Sequence, residues 1–401
     1  MNGPETYAPI HAEEELILGF ARATPGPQTA ERVKSVASNG LDWRWVVDIA
    51  LKNGIGPLLY RNLRHLAPSA APSPIMETLQ RHYYQNIAHN LALEDQLSAL
   101  VRDFQTADIP AIPYKGPTLA AAAYGDIGLR VFGDLDILIQ EKDVGRAADM
   151  MIARGYETDL RFSSEQLAAY VHHFNELPFT RVGKAPVELQ WQIVPDHFVY
   201  PVEPFCLWDN QMTGEAQRSG FRTIPAEQQI LMLCAHGAKD SWGRLAWVCD
   251  IAELLRKSDR LDWKGLVNLA AQTGGLRMLS LGLHLAHELL EAPLPQELVF
   301  RIGNDRAVAK AGRLIRERIF GRIDGNEGIL ETCLFYVRMR ERLRDKARFL
   351  FRTFSRPIPG QWDQLGLDDP GARLRSVMQH VRMGYGYGLS MAKQRWKAGR
   401  G

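Results

Sequence analysis

Asp134 and Asp136 stand two residues apart in GDLDILI (133–139), a stretch otherwise apolar after its glycine. Carboxylates at i and i+2 of a strand point from one face, so Leu135 and Ile137 belong to the opposite, buried face. Two anionic oxygen donors side by side repel unless a cation lies between them. Hard oxygen ligands of this kind suit Mg²⁺, or Mn²⁺ in its place. Chemistry on a nucleoside triphosphate commonly uses two such ions about 3.5–4 Å apart. Holding both takes a third carboxylate from a neighbouring strand, and Glu188 qualifies. It sits between Val187 and Leu189 on an apolar ribbon, where an acid is costly unless paired or metal-bound. An Asp-x-Asp pair on a solvated edge is the ordinary alternative, and the isolated glutamate on a later strand weighs against it.

Just ahead of the aspartates lies Lys115-Gly116-Pro117-Thr118. Proline suits the first helical position, which places Gly116 near the N-cap. The free N–H groups of a helix start attract phosphate; Gly116 lets the backbone approach, Lys115 adds a positive charge and Thr118 a hydroxyl. A simple helix start with a solvated lysine reads equally well. Arg130, four residues before Asp134, could clamp a phosphate through two N–H groups or pair with an acid. A second constellation follows Glu188: His236, Lys239, Asp240, Trp242, Arg244 and Asp250. His236 and Lys239 share a helix face, which would bring Lys239 to a triphosphate or acceptor with His236 beside it. A helix-terminus network capped by Asp240 is the structural alternative. His172-His173 lacks a third ligand and does not read as a zinc site.

The elements that must position these residues fall into three parts: a helical region over 1–106, an α/β core over 107–225 and a helical domain over 226–401. In the first part, residues 13–65 read as helical, EEELILGFARA first and LDWRWVVDIALKNGIGPLLYRNLRHL second, the latter helix capped by Asp42 and stopped by Gly54 and Gly56. A Pro/Ser/Ala connector (67–74) leads to a long amphipathic helix over 75–106, with Leu79, Tyr83, Ile87, Leu91, Leu97, Leu100, Val101 and Phe104 on its core stripe. The core reads as strand 109–114, helix 117–124, strand 132–139, helix 141–154, a short strand near Tyr156, a helix at 164–173 and a hairpin turning at Val182-Gly183-Lys184. The second hairpin strand alternates: Val187, Leu189, Trp191 and Ile193 face one way, while Glu188, Gln190 and Gln192 face either solvent or a site. Helices are expected at 227–239, 242–257, 261–275, 276–290, 305–320 and 327–353, before a tail from Pro357 with little packing power. LDW, valine, alanine and glycine recur at the same offsets in 41–54 and 261–274, two similar capped helices flanking the core.

Composition sets outer bounds. At 401 residues, with 46% hydrophobic and 23% charged side chains, the chain is an ordinary globular protein with ample core. A net charge of +2 announces neither a nucleic-acid nor a membrane partner. Cys206, Cys234, Cys249 and Cys333 lie too far apart for a CxxC pair and read as reduced thiols. An acidic N-terminal stretch and the lack of a ~20-residue apolar run lead to the expectation of a cytoplasmic protein with no membrane partner. The arginine-rich 338–356 stretch reads first as a solvated helix with internal ion pairs, and second as an RNA-tracking surface.

Strand, Lys-Gly, Ala-rich helix, G-L-R-x-x-G-D-x-D-x-L and a hairpin with V-E-L-x-W together resemble the bacterial family of uncharacterised nucleotidyltransferases, within the polymerase-β-like superfamily. D-W…A…G-I-x-P-L-L-Y near the N-terminus, H-x-x-K-D-x-W-x-R-L-x-W-x-x-D-I-A (236–252) and P…W-D-x-L-x-L extend the likeness over most of the chain. The resemblance implies an α+β fold, a small mixed-sheet nucleotidyltransferase core flanked by helical regions. It implies Asp134, Asp136 and Glu188 as metal ligands and Gly116 in the phosphate-binding turn. Lys115-Gly116 stands where the wider superfamily has Gly-Ser, so Lys115 or Thr118 must replace the serine hydroxyl. The expected activity is metal-dependent transfer of a nucleotidyl group from an NTP to an acceptor hydroxyl, the acceptor being a small molecule, peptide, protein or RNA. A nucleotidyltransferase-like toxin or RNA-modifying enzyme is the nearest alternative, and a nucleotide-binding protein without turnover the next. Asp136→Ala is expected to abolish turnover with thermal unfolding nearly intact.

Overall fold

The structure is a computed structural model, which describes residues 11–38, 40–158, 164–194, 207–208, 224–258, 260–322 and 329–355. Four helices open it: α1 (Ala12–Phe20), α2 (Pro27–Ala37), α3 (Trp43–Lys52) and α4 (Gly56–Leu66), followed by the long α5 (Ser73–Thr106). The α/β part comprises β1 (Ala111–Pro113), α6 (Gly116–Leu119, running on as a π-helical turn, Ala120–Tyr124), β2 (Leu135–Ile139), α7 (Val144–Ala153), α8 (Ser164–His173), β3 (Glu176–Phe179) and β4 (Val187–Gln190). Eight helices follow: α9 (Ala226–Lys239), α10 (Leu245–Lys257), α11 (Trp263–Thr273), α12 (Leu276–Leu290), α13 (Gln296–Gly303), α14 (Arg306–Ile319), α15 (Ile329–Arg338) and α16 (Leu343–Ser355). The fold is α+β, mostly helical, with one small mixed sheet. None of the described helices is long and apolar enough to cross a membrane.

The sheet runs β1-β2-β4-β3. β1 lies antiparallel to β2, β2 parallel to β4 and β3 antiparallel to β4, with Asp136 opposite Glu188 and Leu138 opposite Gln190. Alternation along a strand separates the two faces. Leu135, Ile137, Ile139, Val187 and Leu189 enter one core with the C-terminal half of α5 and with α7. Leu138, with Ile112 and Tyr114 from the β1 side, enters a second core shared by the N-terminal helices and by α9, α10 and α12. The polar positions Asp136, Glu188 and Gln190 therefore face helices rather than open solvent.

Several elements differ from the sequence reading. Gly54 (φ +71°) does end α3, but Gly56 begins α4, with Pro57 behind it in the first turn. Leu91 is exposed on α5, whereas Asn86 and Asn90 are buried. Their amide groups donate to the carbonyls of Ile127, Gly128 and Arg130, so α5 grips the loop that leads to Asp134. Around Tyr156 there is a single bridge, Glu157 with Thr180, in place of a strand. β4 ends at Gln190: Trp191 stays in the first core, but Ile193 crosses into the second. α13 was not foreseen, and α10 starts three residues later than expected, at Leu245. The expected 327–353 helix breaks between α15 and α16, where Arg340 is fully buried with its guanidinium 4.2 Å from the Phe349 ring centre. That arginine cannot track RNA from there, and Phe351 of the same stretch is exposed. Cys234 and Cys249 are buried free thiols and Cys333 is half-buried. Cys206, Arg356 and the tail from Pro357 lie outside the described residues.

Both LDW segments fold alike. Asp42 caps α3 by accepting from Arg44 and Trp45 N–H, and Asp262 caps α11 by accepting from Gly265 N–H. Each helix is followed by a left-handed glycine, Gly54 and Gly274. After α3, the Asn53 side chain accepts from Leu245 N–H and caps α10. The helix that carries Asp250 is thus anchored to the N-terminal region.

Candidate active site

Asp136 is buried in the middle of the sheet, and the partly buried Glu188 lies directly across from it on the parallel strand. Asp134 precedes β2 and is half-buried, close enough to act electrostatically on Asp136, Glu188 and Lys115. Gln190 links the pair: its Nε2 donates to Asp136 Oδ1 at 2.9 Å and to Glu188 Oε2 at 3.1 Å. The orientation of that amide is dictated from behind. Burial, then Asp136, holds the Tyr114 phenol well above its usual range, so it keeps its proton and donates to Gln190 Oε1 at 2.5 Å. The Gln190 NH₂ is then left to face the carboxylates. Gln229 of α9 fixes Tyr114 in turn, donating to its carbonyl at 3.0 Å.

The acids raise one another. Burial, with Asp136, Glu176 and Asp134 adding to it, pushes Glu188 up to about 8. Burial also raises Asp136, with Asp134 adding to the rise and Lys115 opposing it. Glu176, opposite Gln190 on β3, is a fourth acid of this face.

Lys115 answers these charges. Its Nζ lies 3.2 Å from Asp136 Oδ1 and 3.4 Å from His236 Nδ1, over the Tyr114 ring. Burial works against the ammonium, but Asp136, Glu188 and Asp134 outweigh it and raise the lysine above its ordinary value. Gly116 adopts φ +52°, a left-handed conformation that favours glycine. The turn is displaced by one residue from expectation: Lys115 is the N-cap, with Gly116 and Pro117 next. Thr118 Oγ1 donates back to the Lys115 carbonyl at 2.7 Å, so the hydroxyl stabilises the turn.

His236 and Lys239 approach the same face from the end of α9. Burial, and then Lys115, drives His236 well below its ordinary value, so the imidazole is neutral. Its Nδ1 accepts from Lys115, which leaves the proton on Nε2, 3.5 Å from Asp240 Oδ2. Lys239 loses to burial but gains more from Glu176 and Asp240, and stays charged. A turn in left-handed conformation at Ser241 and Trp242 pins this helix end, with the Trp242 ring fully buried against Gly237 and Gly282.

Arg130 is brought near Asp136 and His236, but its fork closes on Asp250. Nε and Nη2 donate at 2.9 and 3.0 Å, and the Tyr124 hydroxyl donates to the same acid at 2.9 Å. Only Nη1 is left, buried and without a hydrogen-bond partner. Arg244 and His172 are exposed, and the His173 side chain lies outside what is described. Thus Lys115, Asp134, Asp136, Glu188, His236 and Lys239 converge. Gly116 and Thr118 shape the lysine turn, and Arg130 ties the loop ahead of β2 to α10.

Sequence reading overlooked Tyr114, Glu176 and Gln190. The alternation that exposed Glu188 also placed Gln190 on its face, and that was the available signal. Among the described residues no three of His, Cys, Asp and Glu stand close enough to ligate one ion as placed. Lys115 Nζ and Gln190 Nε2 contact these acids instead. The donor chemistry still fits a divalent cation, because hard carboxylate oxygens are crowded until their proton affinity rises.

No curated protein matches the chain. A family model described as an uncharacterised nucleotidyltransferase matches residues 39–291, a span that contains the lysine turn, the carboxylates and the end of α9. With well over half its length matched, the chain belongs to this nucleotidyltransferase family.

Proposed function

We propose that the protein transfers a nucleotidyl group from an NTP to an acceptor hydroxyl, releasing pyrophosphate, in a metal-dependent reaction. The observation that carries this reading is the register of Asp136 and Glu188 across parallel strands, with Asp134 just ahead and two lysines facing them. Mg²⁺ or Mn²⁺ held by Asp134, Asp136 and Glu188 would polarise the α-phosphate and offset leaving-group charge. Lys115 and Lys239 attract and orient the polyphosphate, fixed charges in a partly desolvated site where they act strongly. The Glu188 carboxylate would take the acceptor's hydroxyl proton. Neutral His236 holds the Lys115 ammonium in place through Nδ1. A cleft of about 630 Å³ begins at Gly133, beside Asp134, and runs between α5 and the Gly183–Pro186 turn.

The test supplies each of the four NTPs, labelled at the α-phosphate, with Mg²⁺ and either cell lysate or tRNA. Pyrophosphate release with label on an acceptor supports the reading, and the class of labelled product separates an RNA-modifying enzyme from a protein-modifying toxin. NTP binding without pyrophosphate release under all these conditions would show a binding protein instead.

A further inference from the structure

We propose that Lys115 replaces one of the two divalent cations that a three-carboxylate site would otherwise take, so that the nucleotide is handled with a single divalent ion. The inference rests on the metal-dependent transfer proposed above and specifies its cation inventory.

The space between Asp136 and Glu188 is where an ion shared by the two strands would sit, and it is already supplied with donors. Asp136 Oδ1 accepts from Lys115 Nζ at 3.2 Å and from Gln190 Nε2 at 2.9 Å. The same Nε2 reaches Glu188 Oε2 at 3.1 Å. A divalent ion at that oxygen would need ligand distances near 2.1 Å and would meet the ammonium head-on. Lys115 is not a surface side chain that has folded in by chance. It is buried, with His236 Nδ1 accepting from it at 3.4 Å and the Tyr114 ring beneath it. Its backbone is held by the Thr118 hydroxyl and by the left-handed Gly116 that follows. Gln190 is equally constrained, since Tyr114 donates to its carbonyl oxygen and leaves only NH₂ for the acids. The two strands that flank β2, β1 with its turn and β4, thus converge on filling one cation position with protein N–H donors. The lysine also stands at the turn that precedes a nucleotide's phosphates in the proposed site, so one ammonium can balance carboxylate and phosphate together. The one divalent ion would be held by Asp134, Asp136 and Glu188 through oxygens that Lys115 and Gln190 do not contact.

The experiment counts ions. Mn²⁺ is titrated into the full chain at saturating α,β-methylene NTP analogue, with free Mn²⁺ read by electron paramagnetic resonance against the analogue alone. One protein-dependent Mn²⁺ per wild-type chain is expected, and two in Lys115→Met, the second appearing because the position has been vacated. Lys115→Gln, which keeps a polar head without the charge, is expected to follow Met. Two Mn²⁺ ions per wild-type chain overturn the proposal while leaving metal-dependent transfer intact. A single Mn²⁺ in folded Lys115→Met and Lys115→Gln overturns it as well. No protein-dependent Mn²⁺ in wild type overturns the metal-dependent reading itself. The wild-type count is decisive even where a variant fails to fold.

Discussion

Gln190 and Tyr114 form a relay behind the acids: the Tyr114 hydroxyl donates to the Gln190 carbonyl oxygen, and the Gln190 NH₂ joins Asp136 to Glu188. Gln190→Leu is expected to lower turnover by about 10–100-fold, the usual effect of losing a group that orients site ligands. It also leaves the buried tyrosine hydroxyl unpaired, at about 1–3 kcal/mol of stability. Tyr114→Phe should lose less of both. Parallel steady-state kinetics and urea unfolding measure the two effects; equal activity in Gln190→Leu and wild type would remove Gln190 from the site.

Asp136→Asn is expected to reduce nucleotidyl transfer by at least about 100-fold, the scale of removing one preorganised electrostatic group. The buried Lys115–Asp136 pair argues against the expectation that Asp136→Ala leaves thermal unfolding nearly intact. That change strands the buried Lys115 ammonium, and breaking a buried pair from one side costs about 3–5 kcal/mol. Thermal scans of the two variants should therefore diverge, with Asn the more stable.

The contribution of Glu188 to the stability of the metal-free protein should fall as pH rises from the ordinary glutamate value of 4.5 towards 8. The folded chain keeps the Glu188 proton up to about 8, whereas the unfolded chain releases it near 4.5. Between those values the folded state binds more protons at this group, so its share of the stability declines with increasing pH. Buried neutral histidines such as His236 act in the opposite sense, so the comparison is wild type against Glu188→Gln. The stability of wild type relative to Glu188→Gln should fall across this range, and added Mg²⁺ should oppose that fall. Denaturant midpoints report both; a difference between the two proteins that stays constant from pH 5 to 8 without metal contradicts the placement of Glu188 among acids.

Arg130 and Asp250 form a buried, two-pronged ion pair between the loop ahead of β2 and α10. Asp250→Ala leaves the guanidinium uncompensated and is expected to cost about 3–5 kcal/mol. The double change Arg130→Met with Asp250→Leu should recover most of that loss, because an apolar pair of similar volume can match a buried ion pair. A double-mutant cycle by equilibrium unfolding checks the coupling.

Gly237→Ala should move the end of α9. A Cβ there would stand 2.7 Å from the Trp242 ring, which is itself fully buried. Overpacking of this kind costs about 1–3 kcal/mol, and any shift of Trp242 displaces His236 and Lys239. The expected signature is a raised KM for the NTP beyond what the stability loss produces. Unchanged KM with normal stability would show that Trp242 does not set this helix end.

The sequence by itself determined the placement of the acids on one strand face and most of the elements. Asp134, Asp136 and Glu188 were legible because strand alternation is a property of neighbours, and acids on an apolar ribbon break its pattern. Asp42, Asp262 and the glycines after both LDW helices were legible for the same local reason. What only the tertiary structure decided depends on residues far apart in the chain. Arg130 closes on Asp250, 120 positions later, and Lys115 meets His236, 121 positions later. Asn86 and Asn90 are not among the apolar residues of the α5 stripe, yet both are buried against a loop that accepts from their amides. Gln190 looked like the polar side of a hairpin until helices covered that face and Tyr114 set its amide. Side-chain partners of this kind carry no periodic signal, because the distance that matters is measured across the packed core and not along the chain.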